Sequence, residues 1–143
     1  MKKQIIFIAT VIIMLTASAV YSQSQITRVN IPFDFESRGQ KFPAGEYVVR
    51  ATDNQKVKWL IAGKEVKSPV SFLLAKTVQN VEQIGKSKLM FRQYDDRYFL
   101  VGINAFSFQV DLLQTKEEKL LQRQLMANNK LAKPEIVMIE SIQ

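Results

Sequence analysis

The chain contains no cysteine and no histidine. Those two absences exclude disulfides, the Ser-His-Asp triad, the Cys-His pair, His- or Cys-ligated haem and the ordinary zinc sites. Glycine is also scarce, at 5 residues, and proline stands at 4. No glycine-rich phosphate loop exists, and no serine sits in a Gly-x-Ser-x-Gly elbow. No run of basic or acidic residues occurs either. Carboxylate, lysine, tyrosine or serine chemistry is what remains, and no motif organises it. No cofactor or metal is expected, and enzyme activity is not expected.

What is present begins with an export signature. Met1-Lys2-Lys3 precedes an apolar run from Ile5 to Val20, and Ser22-Gln23-Ser24-Gln25 follows it. This is the charged n-region, apolar h-region and small-residue cleavage site of a signal peptide. We expect residues 1–22 to be removed by cleavage after Ser22, although Ala17-Ser18-Ala19 offers a second site after Ala19. An uncleaved anchor is the competing reading, because the run approaches spanning length. Thr10, Thr16 and Ser18 weigh against it. Without cysteine, a lipid anchor attached to that residue is excluded. The expected product is exported, periplasmic or extracellular, with no membrane span left.

Residues 23–143 then form the expected single β-rich domain, long enough to bury about two-thirds of its unfolded surface without staples. The net charge of +7 falls to +5 once Lys2 and Lys3 leave with the signal. Lys56, Lys58, Lys64 and Lys67 make the one mild basic cluster, interrupted by Glu65. It reads as solvated strand edge, with a weak contact to an anionic surface such as envelope polymer or lipid headgroups as the alternative. Nucleic acid is not an expected partner, since such binders gather their charge on one face.

Period-two alternation dominates this region, the mark of half-buried strands. Val29, Ile31, Phe33 and Phe35 share one face against Arg28, Asn30, Pro32 and Asp34. Pro32 marks an edge or an interruption. Glu36–Lys41 reads as a polar loop, and Phe42-Pro43-Ala44-Gly45 as a turn. Tyr47, Val49 and Ala51 alternate next, then Val57, Trp59 and Ile61. Pro69 opens a strand with Val70, Phe72 and Leu74 on one face and Ser71, Leu73 and Ala75 on the other; both faces are partly apolar, which places it inside the sheet. Leu89–Tyr94 and Arg97–Ile103 flank Asp95-Asp96 as a hairpin. Phe106, Phe108 and Val110 follow. Thr115-Lys116-Glu117-Glu118 is a capping box in which the Glu118 carboxylate would reach back to the cap. It opens a helix over 116–127 whose Leu121 and Leu125, with Leu120 beside them, would pack on the sheet. Glu135–Glu140 supplies a last strand. The expected fold is mainly β, an antiparallel barrel or two-sheet sandwich of about eight strands with one late helix.

Three segments carry a resemblance: Ile31-Pro32-Phe33-Asp34-Phe35, Phe42-Pro43-Ala44-Gly45-Glu46-Tyr47 and Phe91-Arg92-Gln93-Tyr94-Asp95-Asp96-Arg97-Tyr98-Phe99-Leu100. Together they resemble a family of small exported bacterial proteins, acidobacterial ones among them, with Pro-Phe-x-Phe and Pro-Ala-Gly-x-Tyr motifs. Phe42 stands where leucine is more usual. The resemblance implies export and a β-rich fold. That family is uncharacterised, so no catalytic residue carries over.

Three functional readings follow. The first is a non-enzymatic structural or interaction module of the bacterial envelope, partnered by an envelope component. The second is a small barrel carrying an apolar molecule in a cavity lined by Phe33, Phe35, Tyr47, Trp59, Phe72, Phe91, Tyr98 and Phe108. The third, ranked last, is a carboxylate-dependent hydrolase, which needs acids such as Asp34, Asp53 and Asp111 to converge. Asp95 and Asp96 suit a turn instead.

Overall fold

A computed structural model describes residues 26–82, 85–105, 107–128 and 133–142. The expected signal peptide and Phe106 lie outside the described residues.

Alternating apolar residues do form strands. In chain order they are β1 (Ile26–Ile31), β2 (Phe35–Ser37), β3 (Gln40–Phe42), β4 (Gly45–Ala51), β5 (Lys58–Gly63), β6 (Val70–Asn80), β7 (Lys88–Tyr94), β8 (Arg97–Ala105), β9 (Phe108–Leu112) and β10 (Glu135–Glu140). One helix, α1 (Lys116–Ala127), separates β9 from β10. The described residues thus make a mainly β protein built on a ten-stranded sheet. That is more strands than expected, because the polar loop at 36–41 is itself a hairpin. Arg38 and Gly39 form its turn in the left-handed region, with φ of 52° and 76°. Glycine tolerates that region freely.

The sheet is mixed where a purely antiparallel one was expected. β2 lies parallel to β8, with Glu36 opposite Phe99. Around the molecule the strands run β1-β4-β5-β6-β9-β8, and β8 continues through β7 to β10. β10 returns to β1 through an isolated bridge, Val29 to Ser141, and the Ile142 N–H donates to the Arg28 carbonyl at 2.8 Å. One bridge is not a ladder, so the sheet is not a closed barrel.

β6 is divided between two neighbours. Val70–Leu74 pair with β5, Ala75–Asn80 pair with β9, and a bulge falls between Ala75 and Thr77. Bulges bend a strand and raise its local twist, so β6 carries the sheet around a corner.

One face of the strands is buried as the core. Val29, Ile31, Val49, Trp59, Ile61, Leu73, Leu89, Phe91, Ile103 and Val110 are buried there. At one end Lys56 places its ammonium 3.4 Å from the centre of the Phe108 ring, a cation–π cap. Trp59 fixes the same turn by donating its indole N–H to the Lys56 carbonyl at 2.7 Å.

Candidate functional site

The three motif segments meet at one corner. Pro32 ends β1 and turns the chain so that Phe33 and Phe35 enter the core from outside the β1 ladder. Phe35 stacks on Phe42, ring centres 4.9 Å apart, and meets Tyr47 and Phe91 edge-on at 5.2 and 5.3 Å. Phe33 stacks on Tyr98 at 3.9 Å and meets Phe91 edge-on at 5.2 Å. Offset and edge-to-face pairs of this kind add about 0.5–1.5 kcal/mol each beyond burial.

Polar groups lock the same corner. Asp34 accepts from the Ala44 N–H at 2.8 Å, and Tyr47 donates its hydroxyl to the Pro43 carbonyl at 2.6 Å. Burial, with Asp34 and Glu65 nearby, pushes the Tyr47 phenol above its ordinary value. Arg97 grips Glu36 with two hydrogen bonds, 2.8 and 2.9 Å, tying β2 to β8. A cleft of about 370 Å³ remains outside, bordered by Asp34, Lys41, Asp96, Arg97 and Tyr98.

The aromatic residues expected to line a cavity therefore divide. Phe35, Tyr47, Trp59, Phe91 and Phe108 are buried, and Phe33 and Tyr98 are partly buried. Six of the corner's rings fill space against one another. Phe72 is a correction: it is 60% exposed and faces outward. Both faces of β6 are apolar in sequence, so its phase was ambiguous. Pairing settles it: Leu73 opposes the buried Trp59, and Phe72 opposes Leu60 on the outer side.

The three candidate acids each serve a local role. Asp34 holds the Ala44 N–H, Asp53 accepts from the Lys58 N–H at 3.0 Å, and Asp111 meets Gln109 at 3.4 Å. The corner cleft holds Asp34, while Asp111 lines an outer groove of about 570 Å³ with Met90, Ile136 and Met138. Among the described residues no three acids cluster as a metal would need. Asp95 takes the first place of a two-residue hairpin turn, φ 56°.

Two features were invisible in the sequence. Thr115 caps α1 as expected, accepting from the Glu118 N–H at 3.2 Å. The Glu118 carboxylate does not reach back to the cap. It is 2% exposed, beneath the helix, and accepts from Arg92 at 2.6 Å and from the Tyr94 hydroxyl at 3.2 Å. Burial and the Glu118 charge raise the Tyr94 phenol above its ordinary value. Burial alone would lower the Arg92 guanidinium, but hydrogen bonding to Glu118 raises it overall. Glu118 is the one buried residue of α1.

The second feature is an open strand edge, and it corrects the expectation that the strand after Pro69 lies wholly inside the sheet. Because β9 pairs with β6 only from Ala75 onward, Val70–Leu74 have β5 on one side and no strand on the other among the described residues. The Ala75 N–H addresses β5, donating to the Val57 carbonyl at 2.8 Å. Alternation then turns the backbone groups of Val70 and Phe72 to the open side. Arg38 confirms that direction by donating to the Phe72 carbonyl at 2.9 Å. Beside this edge lies a cleft of about 380 Å³ with Leu73, Leu74, Leu100, Leu112 and Leu113 in its walls and Arg38, Lys116 and Glu117 at its rim. The Arg38-Gly39 pair was the sequence signal for the hairpin that reaches this edge.

No described helix is long and apolar enough to cross a membrane. No family model, curated protein or solved structure matches the chain.

Proposed function

We propose that this chain belongs with the exported bacterial proteins its motifs resemble and acts, without residues 1–22, as a non-enzymatic interaction module of the envelope. One observation carries the choice over a carrier. Six aromatic rings pack against one another at the corner and the apolar core is buried, while Val70, Phe72 and Leu113 stay exposed around an open strand edge. A carrier needs the reverse, an empty apolar interior and a quiet surface. A filled core and an unsatisfied edge suit a scaffold that presents a surface. The finer reading of the fold is a barrel left open between β1 and β10, where the single Val29–Ser141 bridge brings the two strands together.

Native mass spectrometry of protein recovered from the exported fraction, without detergent, tests this directly. The expected spectrum is bare polypeptide beginning at Gln23. A reproducible lipid-sized adduct would overturn the reading in favour of the carrier.

A further inference from the structure

We infer that the open edge of β6 binds an extended, acidic peptide segment of a partner protein, which adds a strand beside Val70–Leu74. The inference rests on the interaction-module reading and names the class of partner. An unpaired edge calls for backbone donors and acceptors in a row, which an extended peptide supplies and a globular apolar surface does not. Here the Phe72 carbonyl has recruited a side chain, Arg38, as a substitute donor. Its exposed guanidinium can leave for solvent or turn to a carboxylate when a strand arrives.

Alternate side chains of such a peptide would have different surroundings. One set faces the leucine-walled cleft of about 380 Å³. The other lies beside Val70 and Phe72, which are 53% and 60% exposed on the outer side. Natural edges are usually protected by charges or proline along the strand. Val70-Ser71-Phe72-Leu73-Leu74 carries neither.

Charge selects the sign of the partner. Arg38 and Lys116 border the cleft, Lys58 lies opposite Leu74, and Lys67 and Lys76 bracket the edge in sequence. None of these five forms an ion pair with an acid among the described residues. Glu117 is the one acid bordering the cleft. A positive frame of this kind favours Asp- or Glu-bearing segments and disfavours basic ones.

Phage-displayed random heptapeptides, selected against the full exported protein, provide the test. Enriched sequences should alternate apolar residues and carry at least one Asp or Glu. A synthetic peptide of the enriched consensus should bind in fluorescence polarisation and weaken as salt is raised. Phe72→Pro removes the outward N–H while sparing the β5 ladder, and should weaken binding by about tenfold or more. Phe72→Thr keeps the backbone and should retain most of the affinity.

Should Phe72→Pro fail to fold, hydrogen exchange on the unaltered protein gives the same answer. Bound peptide should protect the Val70 and Phe72 amides. No enriched peptide, equal binding to a folded Phe72→Pro, or protection elsewhere would overturn the inference. A clean native mass spectrum beside such a failure leaves the module reading standing; a lipid adduct removes both.

Discussion

The aromatic corner and helix α1 are secured in opposite ways. At the corner, Phe33, Phe35, Phe42, Tyr47, Phe91 and Tyr98 share many ring contacts, with backbone hydrogen bonds and the Arg97–Glu36 fork around them. Apolar area supplies that stability, and area is indifferent to moderate changes in salt or pH. Helix α1 buries one residue, and that residue is Glu118. Its hold on the sheet depends on a carboxylate, a guanidinium and a phenol. The corner is redundant and nonspecific in its chemistry. The helix is specific and has little in reserve.

Cutting the corner should therefore have the largest effect, and a global one. Phe35→Ala removes a fully buried ring with three aromatic neighbours. The expected loss is about 4 kcal/mol in urea denaturation. That is a large share of a domain's usual margin, and all spectroscopic probes should shift together. If the far-UV and near-UV transitions separate, the corner is not integral to the cooperative unit.

Cutting the helix anchor should be smaller and local. Glu118→Ala leaves Arg92 and the Tyr94 hydroxyl without their partner. Arg92 retains partial access to water, so the expected loss is about 2 kcal/mol, below the range for a fully buried pair. Hydrogen exchange should rise across Lys116–Ala127 while β4, β5 and β7 stay protected. Equal loss of protection in both regions would erase the contrast.

The difference also explains what could be read before the fold was known. Strand periodicity, the Asp95-Asp96 hairpin and the bounds of α1 are local properties, and local chemistry announces them. The β2–β3 hairpin escaped because three-residue strands are too short to show a period. Phe72 went to the wrong face because both faces of β6 are apolar. Glu118 looked like a capping residue because its partners are 24 and 26 positions away. Of the candidate surfaces, the corner's aromatic residues were legible. The open edge was not, since it exists only because β9 leaves β6 after pairing with Ala75–Asn80.

Alkaline titration reaches both regions, with a smaller effect. Tyr94 and Tyr47 both have folded pKa values above the ordinary 10.0. The fold thus favours the neutral phenols, a contribution that is whole below pH 10 and lost as pH climbs through the folded values. Tyr94→Phe also removes the hydrogen bond to Glu118, at an expected cost of about 1 kcal/mol at pH 7. Stability of the variant, followed by urea midpoint, should fall less steeply above pH 10 than that of the parent. Parallel curves would mean that Tyr94 does not titrate with folding.

The smallest expected effect tests whether the apolar side of α1 matters at all. Leu121 and Leu125 are only partly buried, and Leu120 is 55% exposed. An amphipathic helix that drew its stability from such a stripe would suffer when Leu120 became polar. Here Leu120→Gln should change the unfolding free energy in urea denaturation by no more than about 0.5 kcal/mol, because surface changes away from buried features fall in that range. Glutamine has nearly the helix propensity of leucine, so the backbone preference is held constant. Salt sharpens the result. If the anchor is Glu118, added salt should loosen α1 equally in parent and variant, modestly because the carboxylate is buried. A loss above 1 kcal/mol in Leu120→Gln would instead place an apolar partner against the helix, and the contrast with the corner would become one of degree.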